Sequence, residues 1–146
     1  MQITSRFTIA VHILTCIEMF QDERRVTSDF LAGSTGVNAV IIRNVLSQLR
    51  EAGIVSTRQG SGGASLAKPL NEISFYDIYQ AVDCVDNNGL FHFHENPNPN
   101  CPVGRNIHAV MDDSLNDVQG ALENQMKAIK LDSIVAKARE RIEREN

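Results

Sequence analysis

Hydrogen-bonding side chains cluster at the start of a predicted helix near the middle of the chain. Asn38 is predicted as its N-cap, and Arg43 and Asn44 follow within two turns. Arginine can bind a guanine edge through two hydrogen bonds, and asparagine or glutamine can bind adenine in the same way. We therefore expect Arg43 to contact guanine and Asn44 or Gln48 to contact adenine. Val40 would lie against a thymine methyl group.

A glycine-rich segment downstream could make a second contact with nucleic acid. Residues 58–63 read RQGSGG, and such a tip could place Arg58 or Gln59 in the adjacent minor groove. Its glycines, Gly60 among them, would let backbone amides approach a phosphate. The segment lacks the lysine of a nucleotide-binding P-loop, so we expect a DNA contact rather than a nucleotide site. Hydroxyls that could donate to phosphates are those of Ser5, Thr27 and Ser28.

A short helix and a turn are predicted just before these residues. Thr27 or Ser28 caps the helix, which is expected to end near Ala32. Glycines then supply the turn, because positive φ costs glycine little. The glycines that flank the turn are Gly33 and Gly36.

The second helix is predicted from Asn38 to about Ala52, where Gly53 ends it. Two strand-like segments follow at residues 54–57 and 65–67, joined by the glycine-rich tip. The helix positions expected to be buried are Val40, Ile41, Val45, Leu46 and Leu49. The predicted fold class is mainly α with a small β-wing, a winged helix-turn-helix followed by a long C-terminal dimerisation helix.

Two further helices are predicted to support the winged helix. One is capped by Ser5 and carries an apolar stripe that ends near Phe20. The other follows Ser74, which forms a capping-box pattern with Asp77, and runs to about Val85. Residues 25 and 26 could add a short strand beside the wing.

A long helix is predicted to begin near Pro102, a residue type suited to a first helical position. Its apolar residues recur at threes and fours over about 27 residues, a length of about 40 Å. So small a domain cannot cover this stripe, and a second copy of the chain is the simplest partner. The predicted interface residues are Ile107, Val110, Met111, Leu115, Val118, Leu122 and Met126.

These elements divide the chain into three predicted parts. Residues 1–85 form the winged helix-turn-helix domain, residues 86–102 a sensor-type loop, and residues 103–146 the dimerisation helix and a C-terminal helix. Asp132 or Ser133 is expected to cap that last helix. Its charged end, ARERIEREN, is expected to fray.

Charge is distributed unevenly along the chain, whose net charge is −4. Between residues 38 and 68, four basic residues oppose one acidic residue, a local charge of +3. Residues 86–146 carry seven basic and ten acidic residues. A basic strip on an acidic body can bind phosphate, and we expect the binding to be strongly salt-sensitive.

The composition indicates an ordinary globular protein, with 42% hydrophobic and 22% charged residues. No apolar run approaches the length of a membrane span, and the N-terminal sequence lacks the features of a signal peptide. With an odd number of cysteines, three, these features predict a cytoplasmic protein in a reducing compartment.

The chain resembles the Rrf-two family of bacterial winged-helix regulators. The resemblance rests on TSRFTIAVHIL at the start, on ISFYDIYQAVD, on CPVGRNI at the start of the long helix, and above all on GVNAVIIRNVLSQLREAGIVSTRQGSGGASLAKP. It implies a homodimeric repressor or activator that binds double-stranded DNA, with the long helices crossing at the dimer interface. It also implies that a signal is sensed in the loop before the long helix.

One departure from the family concerns its cysteines. Cluster-binding members carry three closely spaced cysteines in the loop, and this chain has only Cys101 there, at the place of the last. Cys84 precedes the loop on the fourth predicted helix, and Cys16 is expected in the core. An iron–sulfur cluster needs about four protein ligands, so we predict no cofactor.

Two other interpretations of the loop remain open. His92, His94 and Cys101 could bind a metal with Glu95, or the histidines could simply pack or face solvent. Cys101 could be a redox-reactive thiol, since a helix N-terminus favours thiolate, or it could be buried. Cys84 is a further candidate.

The leading functional hypothesis is a homodimeric transcriptional regulator, most simply a repressor, that binds a near-palindromic operator. It would respond to an oxidant or small molecule through residues 84–104. The alternatives are a metal-based sensor, with an iron–sulfur or His/Cys site, and a winged helix that binds protein. No nucleophile–base pair or paired carboxylates suggest an enzyme.

Overall fold

A computed structural model of the chain describes residues 3–58, 63–82 and 89–146. The α-helices in these ranges are α1 (Arg6–Phe20), α2 (Ser28–Thr35), α3 (Ala39–Glu51), α4 (Phe75–Ala81), α5 (Pro102–Ala128) and α6 (Leu131–Glu145). Strands β1 (Val55–Arg58) and β2 (Gly63–Leu66) pair antiparallel, and a 3-10 turn spans Leu70–Glu72. The predicted class, mainly α with a small β-wing, is confirmed.

The first helices begin close to their predicted caps. Ser5 occupies the N-cap position of α1, but its side chain makes no capping hydrogen bond. At α2, the Thr27 hydroxyl accepts a hydrogen bond from the Phe30 amide at 3.1 Å. The helix then continues through Gly33 to Thr35, beyond the predicted end at Ala32. The turn rests on Gly36 instead, whose φ of 71° is the left-handed conformation that glycine tolerates best.

Helix α3 starts as predicted, but the face that it buries differs from the expected one. The Asn38 side chain accepts a hydrogen bond from the Val40 amide at 2.8 Å. Val40 and Ile41 were expected inside, and that expectation is wrong, because they are 57% and 41% exposed. Ile42 is fully buried instead, and it completes a spacing that places four residues on one helical face. The buried residues of α3 are Ile42, Val45, Leu46 and Leu49.

The end of α3 leads directly into the wing. Gly53 has a φ of 77°, and its amide donates to the Arg50 carbonyl at 3.0 Å. The Ile54 amide donates to the Leu49 carbonyl, also at 3.0 Å, and this pair of bonds is a Schellman motif that closes the helix. The predicted stop at Gly53 is therefore confirmed.

The wing hydrogen-bonds to the segment before α2. The strands begin at Val55 and Gly63, one residue later and two residues earlier than predicted. Arg25 and Val26 form no strand, but the Val26 carbonyl accepts from the Ala64 amide at 2.9 Å. A Cβ at Gly63 would lie 2.8 Å from the Val26 nitrogen, so only glycine fits at this crossing.

Helix α4 begins with the predicted capping box. The Asp77 amide donates to the Ser74 hydroxyl at 3.1 Å, and the Ser74 amide donates to the Asp77 carboxylate at 2.9 Å. The structure ends α4 at Ala81, with Val82 as its cap. The predicted end at Val85 lies outside the described residues.

Helix α6 packs back against the first helix and shares its core. Leu131 and Val135 are buried, together with Met126 at the end of α5. Two backbone hydrogen bonds join the start of α4 to the junction between α5 and α6: the Phe75 amide donates to the Ile129 carbonyl at 2.9 Å, and the Leu131 amide donates to the Ile73 carbonyl at 2.8 Å. The predicted three-part division remains a prediction.

Both predicted ends of α6 differ from those in the structure. The helix begins at Leu131, before the predicted caps, and Lys130 at the N-cap position makes no side-chain cap. The segment expected to fray, residues 138–146, is helical as far as Glu145, and Arg144 pairs there with Glu140 one turn earlier. Arg139 also reaches Glu18 of α1 at 3.8 Å.

Within the described ranges, no helix has both the length and the apolar character needed to cross a membrane.

Candidate nucleic-acid interface

The structure gathers the predicted base-contacting residues on one exposed face of α3. Burial of the opposite face leaves Asn38, Val40, Arg43 and Asn44 exposed. Gln48 lies further along, half-buried, and its side-chain oxygen is 3.5 Å from a nitrogen of Arg6. An exposed helix face whose first two turns carry polar side chains is the arrangement that enters a major groove in helix-turn-helix proteins.

A cleft of about 510 Å³ separates this helix from the wing and from the start of α2. It collects Arg43 and Asn44 with the predicted phosphate-contacting residues Thr27 and Ser28. The complete lining is Val26, Thr27, Ser28, Arg43, Asn44, Leu46, Ser47, Arg50, Thr57, Gly63 and Ala64. Guanidinium groups and hydroxyls that line the same cleft suit phosphate oxygens, because charged donors make the strongest hydrogen bonds to anions.

Arg50 joins the two walls of the cleft, a role that the sequence analysis missed. Its guanidinium donates to the Thr57 hydroxyl of β1 at 3.2 Å and to the Ser47 hydroxyl of α3 at 3.4 Å. The residue lies seven positions after Arg43, so both arginines lie on the same side of α3. That spacing was a signal in the sequence, but Thr57 comes near only through the fold.

Some predicted contacts lie elsewhere or outside the described residues. Ser5 is exposed at the start of α1. Arg58 is the last residue of β1, and its backbone pairs with Gly63. Gln59 and Gly60 fall outside the described residues, so the structure gives no position for the wing tip.

The second region of interest is the loop before α5, of which residues 89–101 are described. The start of the loop lies on the middle of α5, where the Leu90 amide donates to the Gln119 side chain at 3.2 Å. Gly89 has a φ of 83°, which residues other than glycine rarely adopt, and a Cβ there would displace the end of the Gln119 side chain. The loop is therefore held against α5 at a point well inside the helix.

The middle and the end of the loop are fixed near the first turns of α5. His108 reaches the His94 carbonyl at 3.1 Å and stacks on Phe93, with ring centroids 4.4 Å apart. A Cβ on Gly104 would lie 2.5 Å from the Asn98 carbonyl oxygen, so this glycine permits the close approach of the loop. His108 was not predicted as part of the site. Its partner His94 lies fourteen residues earlier in the chain, and only the path of the loop brings the two together.

The candidate sensor residues that the structure describes form no group of three that could hold a metal ion. Cys101 is half-buried at the N-cap of α5 without a side-chain capping bond, and its amide donates to Asn98 at 3.2 Å. His92 and His94 are exposed. Cys84 lies outside the described residues. Cys16 is buried in α1, as expected, with its sulfur 3.3 Å from the Ser34 hydroxyl.

The face of α5 that bears the predicted interface residues remains open along much of its length. Val103, Val110 and Val118 are 66%, 69% and 53% exposed, at spacings of seven and eight residues. Ile107, Met111, Leu115 and Leu122 are half-buried. Of the predicted residues only Met126 is buried, because the end of α5 reaches the core.

The helix-turn-helix, the antiparallel wing and the basic cleft define a winged-helix protein with a DNA-binding fold. A family model described as Rrf2, iron-dependent transcriptional regulator, matches residues 3–137. The chain therefore belongs to the Rrf2 family, the Rrf-two family that its sequence resembles, and is a transcriptional regulator rather than an enzyme.

Named relatives and solved structures agree with this membership. The chain is 38% identical over 133 residues to YwnA of Bacillus subtilis, named as an HTH-type transcriptional regulator, with 91% of this chain and 96% of YwnA covered. A crystal structure described as that of a DNA-binding protein is 35% identical, with a TM-score of 0.72, and the match covers 89% of this chain and 98% of that one. CymR, the global cysteine regulator of Bacillus subtilis, shares the fold at 16% identity and a TM-score of 0.68, over 93% of this chain and 97% of its own.

The described residues of this chain do not supply the ligands that an iron–sulfur cluster needs. In residues 3–58, 63–82 and 89–146, no three side chains of His, Cys, Asp or Glu are grouped so that they could hold a metal ion. Cys16 is buried in the core of the winged helix, so Cys101 is the thiol that these ranges place in the loop. A cluster needs several thiolates at one place, which these residues do not supply.

Gly104→Ala should release the end of the loop from α5, because the new methyl group would collide with the Asn98 carbonyl. We expect the Cys101 amide to exchange hydrogen at least about fivefold faster, which corresponds to the lower end of the cost of an overpacked contact, about 1–3 kcal/mol. Amide hydrogen exchange measured by NMR would detect this.

Gly120→Ala on the same helix is the matched control, since its added Cβ would lie more than 4 Å from every atom beyond its chain neighbours and the nearby backbone of α5. It should leave exchange at Cys101 unchanged and stabilise the protein by about 0.5–1 kcal/mol, the helix preference for alanine. Equal exchange in both variants would show that the loop does not depend on Gly104.

Proposed function

We propose that this regulator acts as a homodimer that binds a near-palindromic operator and represses transcription. The observation that carries this proposal is the cleft beside α3, where Arg43 and Arg50 lie among hydroxyl and amide groups. The face of α3 would enter the major groove while the cleft receives the adjacent phosphates. The wing would follow the backbone towards the next minor groove.

The proposed dimer rests on the open face of α5. Three exposed valines along one side of a helix of 27 residues form an apolar stripe that water contacts in a single chain. Burial of such side chains is favourable by about 25 cal/mol per Å². A spacing of seven and eight residues suits helix-to-helix packing, and two identical stripes can cover each other about a two-fold axis.

A two-fold dimer carries two copies of the α3 surface, so its operator would contain two inverted half-sites. Occupation of such a site by the protein is sufficient to block a promoter. Repression therefore requires no surface beyond the ones described, whereas activation would need a contact with the polymerase.

The proposed signal input is the loop before α5, which falls within residues 84–104. Its contacts at Gln119, His108 and Gly104 attach it to the same helix that carries the proposed interface. A change in the loop would therefore bear on the packing of the two α5 helices and on the distance between the two α3 surfaces. Cys101, at the junction of loop and helix, is the proposed site of an oxidant response, and no cofactor is proposed.

Arg43→Ala and Arg50→Ala should weaken DNA binding in different ways. Loss of Arg43 should cost about 1–3 kcal/mol and relax the preference at one base pair. Loss of Arg50 should weaken binding to all sequences and lower the slope of log affinity against log salt by about 1. Fluorescence anisotropy with a selected duplex and a scrambled one, at several salt concentrations, would separate the two effects.

Arg141→Ala is the control for this pair, because Arg141 is exposed on α6. Its affinity and salt slope should match those of the original protein. If all three variants bind alike, the cleft is not the DNA-binding surface.

Val110→Asp should separate the proposed dimer, because it would place a carboxylate in the middle of the buried stripe. Light scattering should change from twice the chain mass of 16.2 kDa to the mass of one chain. Asn116→Asp adds a carboxylate at an exposed, polar position of α5 and should remain dimeric. A single-chain mass for the unmodified protein at micromolar concentration would refute the dimer.

Cys101→Ser should remove the proposed response to oxidants. We expect hydrogen peroxide to change operator affinity in the original protein and to leave the variant unchanged. Anisotropy before and after treatment, with dithiothreitol added to test reversal, measures this. An equal response in both proteins would exclude Cys101 as the sensor.

A further inference from the structure

Two aliphatic side chains are exposed on the helix proposed to read DNA. Val40 and Ile41 lie in the first turn of α3, and the core takes Ile42 instead. Single exposed apolar residues are common on proteins and need no explanation. This pair is different in its position, because it is adjacent to Arg43 and Asn44 on the surface that meets the base edges.

The surroundings of the pair favour nucleic acid as its partner. The first turn of α3 contains no acidic residue. Arg43 follows within one turn, Arg50 lies two turns further along, and Arg6 of α1 reaches Gln48 on the Ile41 side of the helix. The cations on both sides of this apolar pair would contact the phosphates of a duplex, and the pair itself would contact apolar groups in the groove.

Thymine supplies the apolar group that the major groove presents. Its C5 methyl projects into the groove, and aliphatic side chains are suitable contacts for it. Helical geometry places Val40 on the side of α3 opposite the buried face. Ile41 lies about a quarter-turn around the helix from Val40. The two side chains therefore face neighbouring parts of the groove rather than one point.

We propose that Val40 and Ile41 together recognise the C5 methyl groups of neighbouring thymines in each operator half-site. This inference rests on the proposed DNA binding and deepens it, because it names a chemical feature of the operator. Ile41 becomes a specificity-determining residue that the sequence had assigned to the core. The half-site would then contain thymines beside the base pair that Arg43 contacts.

The test replaces thymine by deoxyuridine, which pairs identically but lacks the methyl group. A duplex is first selected from a random double-stranded pool with the full-length protein, and each thymine is then replaced in turn. We expect affinity to fall about fourfold at each position where a methyl group is buried, the effect expected for one buried carbon. Replacement at the remaining thymines should have no effect.

Val40→Ala and Ile41→Ala should each abolish the effect of deoxyuridine at one of these positions and preserve it at the other. Such a double-mutant comparison isolates the contact between side chain and methyl group. Glu51→Gln, exposed at the far end of α3, should keep both effects. Melting temperatures should agree among all four proteins, because the changed side chains are exposed.

The outcomes distinguish this inference from the proposed function. If no duplex is selected, DNA binding fails and the inference fails with it. If a duplex is bound equally well with thymine and deoxyuridine at every position, DNA binding stands and thymine recognition is refuted. If the alanine variants change the molar mass in solution and leave the deoxyuridine effect intact, the pair contacts protein, which also refutes the inference. The comparison in the unmodified protein decides the question even if a variant misfolds.

Discussion

The rotation of α3 about its own axis is the constraint on which the functional surface depends. Ile42, Val45 and Leu49 are buried against the rest of the winged helix, and this burial fixes which side of the helix faces outward. A rotation by one residue, about 100°, would bring Ile41 to the buried position of Ile42 and turn Arg43 away from its present position. The free energy of burying the apolar face therefore also sets the chemistry presented to DNA.

Both ends of α3 are fixed by local geometry that supports this rotation. The Asn38 cap and Gly36 set the angle at which the chain enters the helix, and the Schellman motif at Gly53 sets the angle at which it leaves. The wing strand that follows is bonded to α3 through Arg50. Helix and wing consequently form one surface, and a ligand that spans both meets groups held in a fixed relation.

The loop before α5 is held to the same helix that exposes the apolar stripe. Glycines at 89 and 104 allow the loop backbone to approach α5, and His108 holds its middle. Signal input and dimer contact would thus act on one rigid element of 27 residues. In a family described as iron-dependent, this chain keeps that arrangement without grouped metal ligands in the described residues.

The sequence by itself determined the order of the α-helices and of the two wing strands in the described residues. Their signals are local: Asn38 and Thr27 cap helices, the Ser74–Asp77 capping box opens α4, Gly53 ends α3, and Pro102 starts α5. Such signals act within a turn or two of the backbone, so they can be read without knowledge of the fold. The sequence also placed Arg43, Asn44 and the open stripe of α5 correctly on exposed surfaces.

The tertiary structure decided how these elements face one another. In a segment as apolar as residues 40–42, periodicity alone did not distinguish the buried isoleucine from its exposed neighbours. The role of Arg50 required Thr57 from the next strand, and that of His108 required the path of the loop. The start of α6 was missed because Leu131 is ordered by the core and by Ile73 rather than by a cap. These features depend on contacts between distant parts of the chain, and a local sequence pattern does not specify which distant groups will meet.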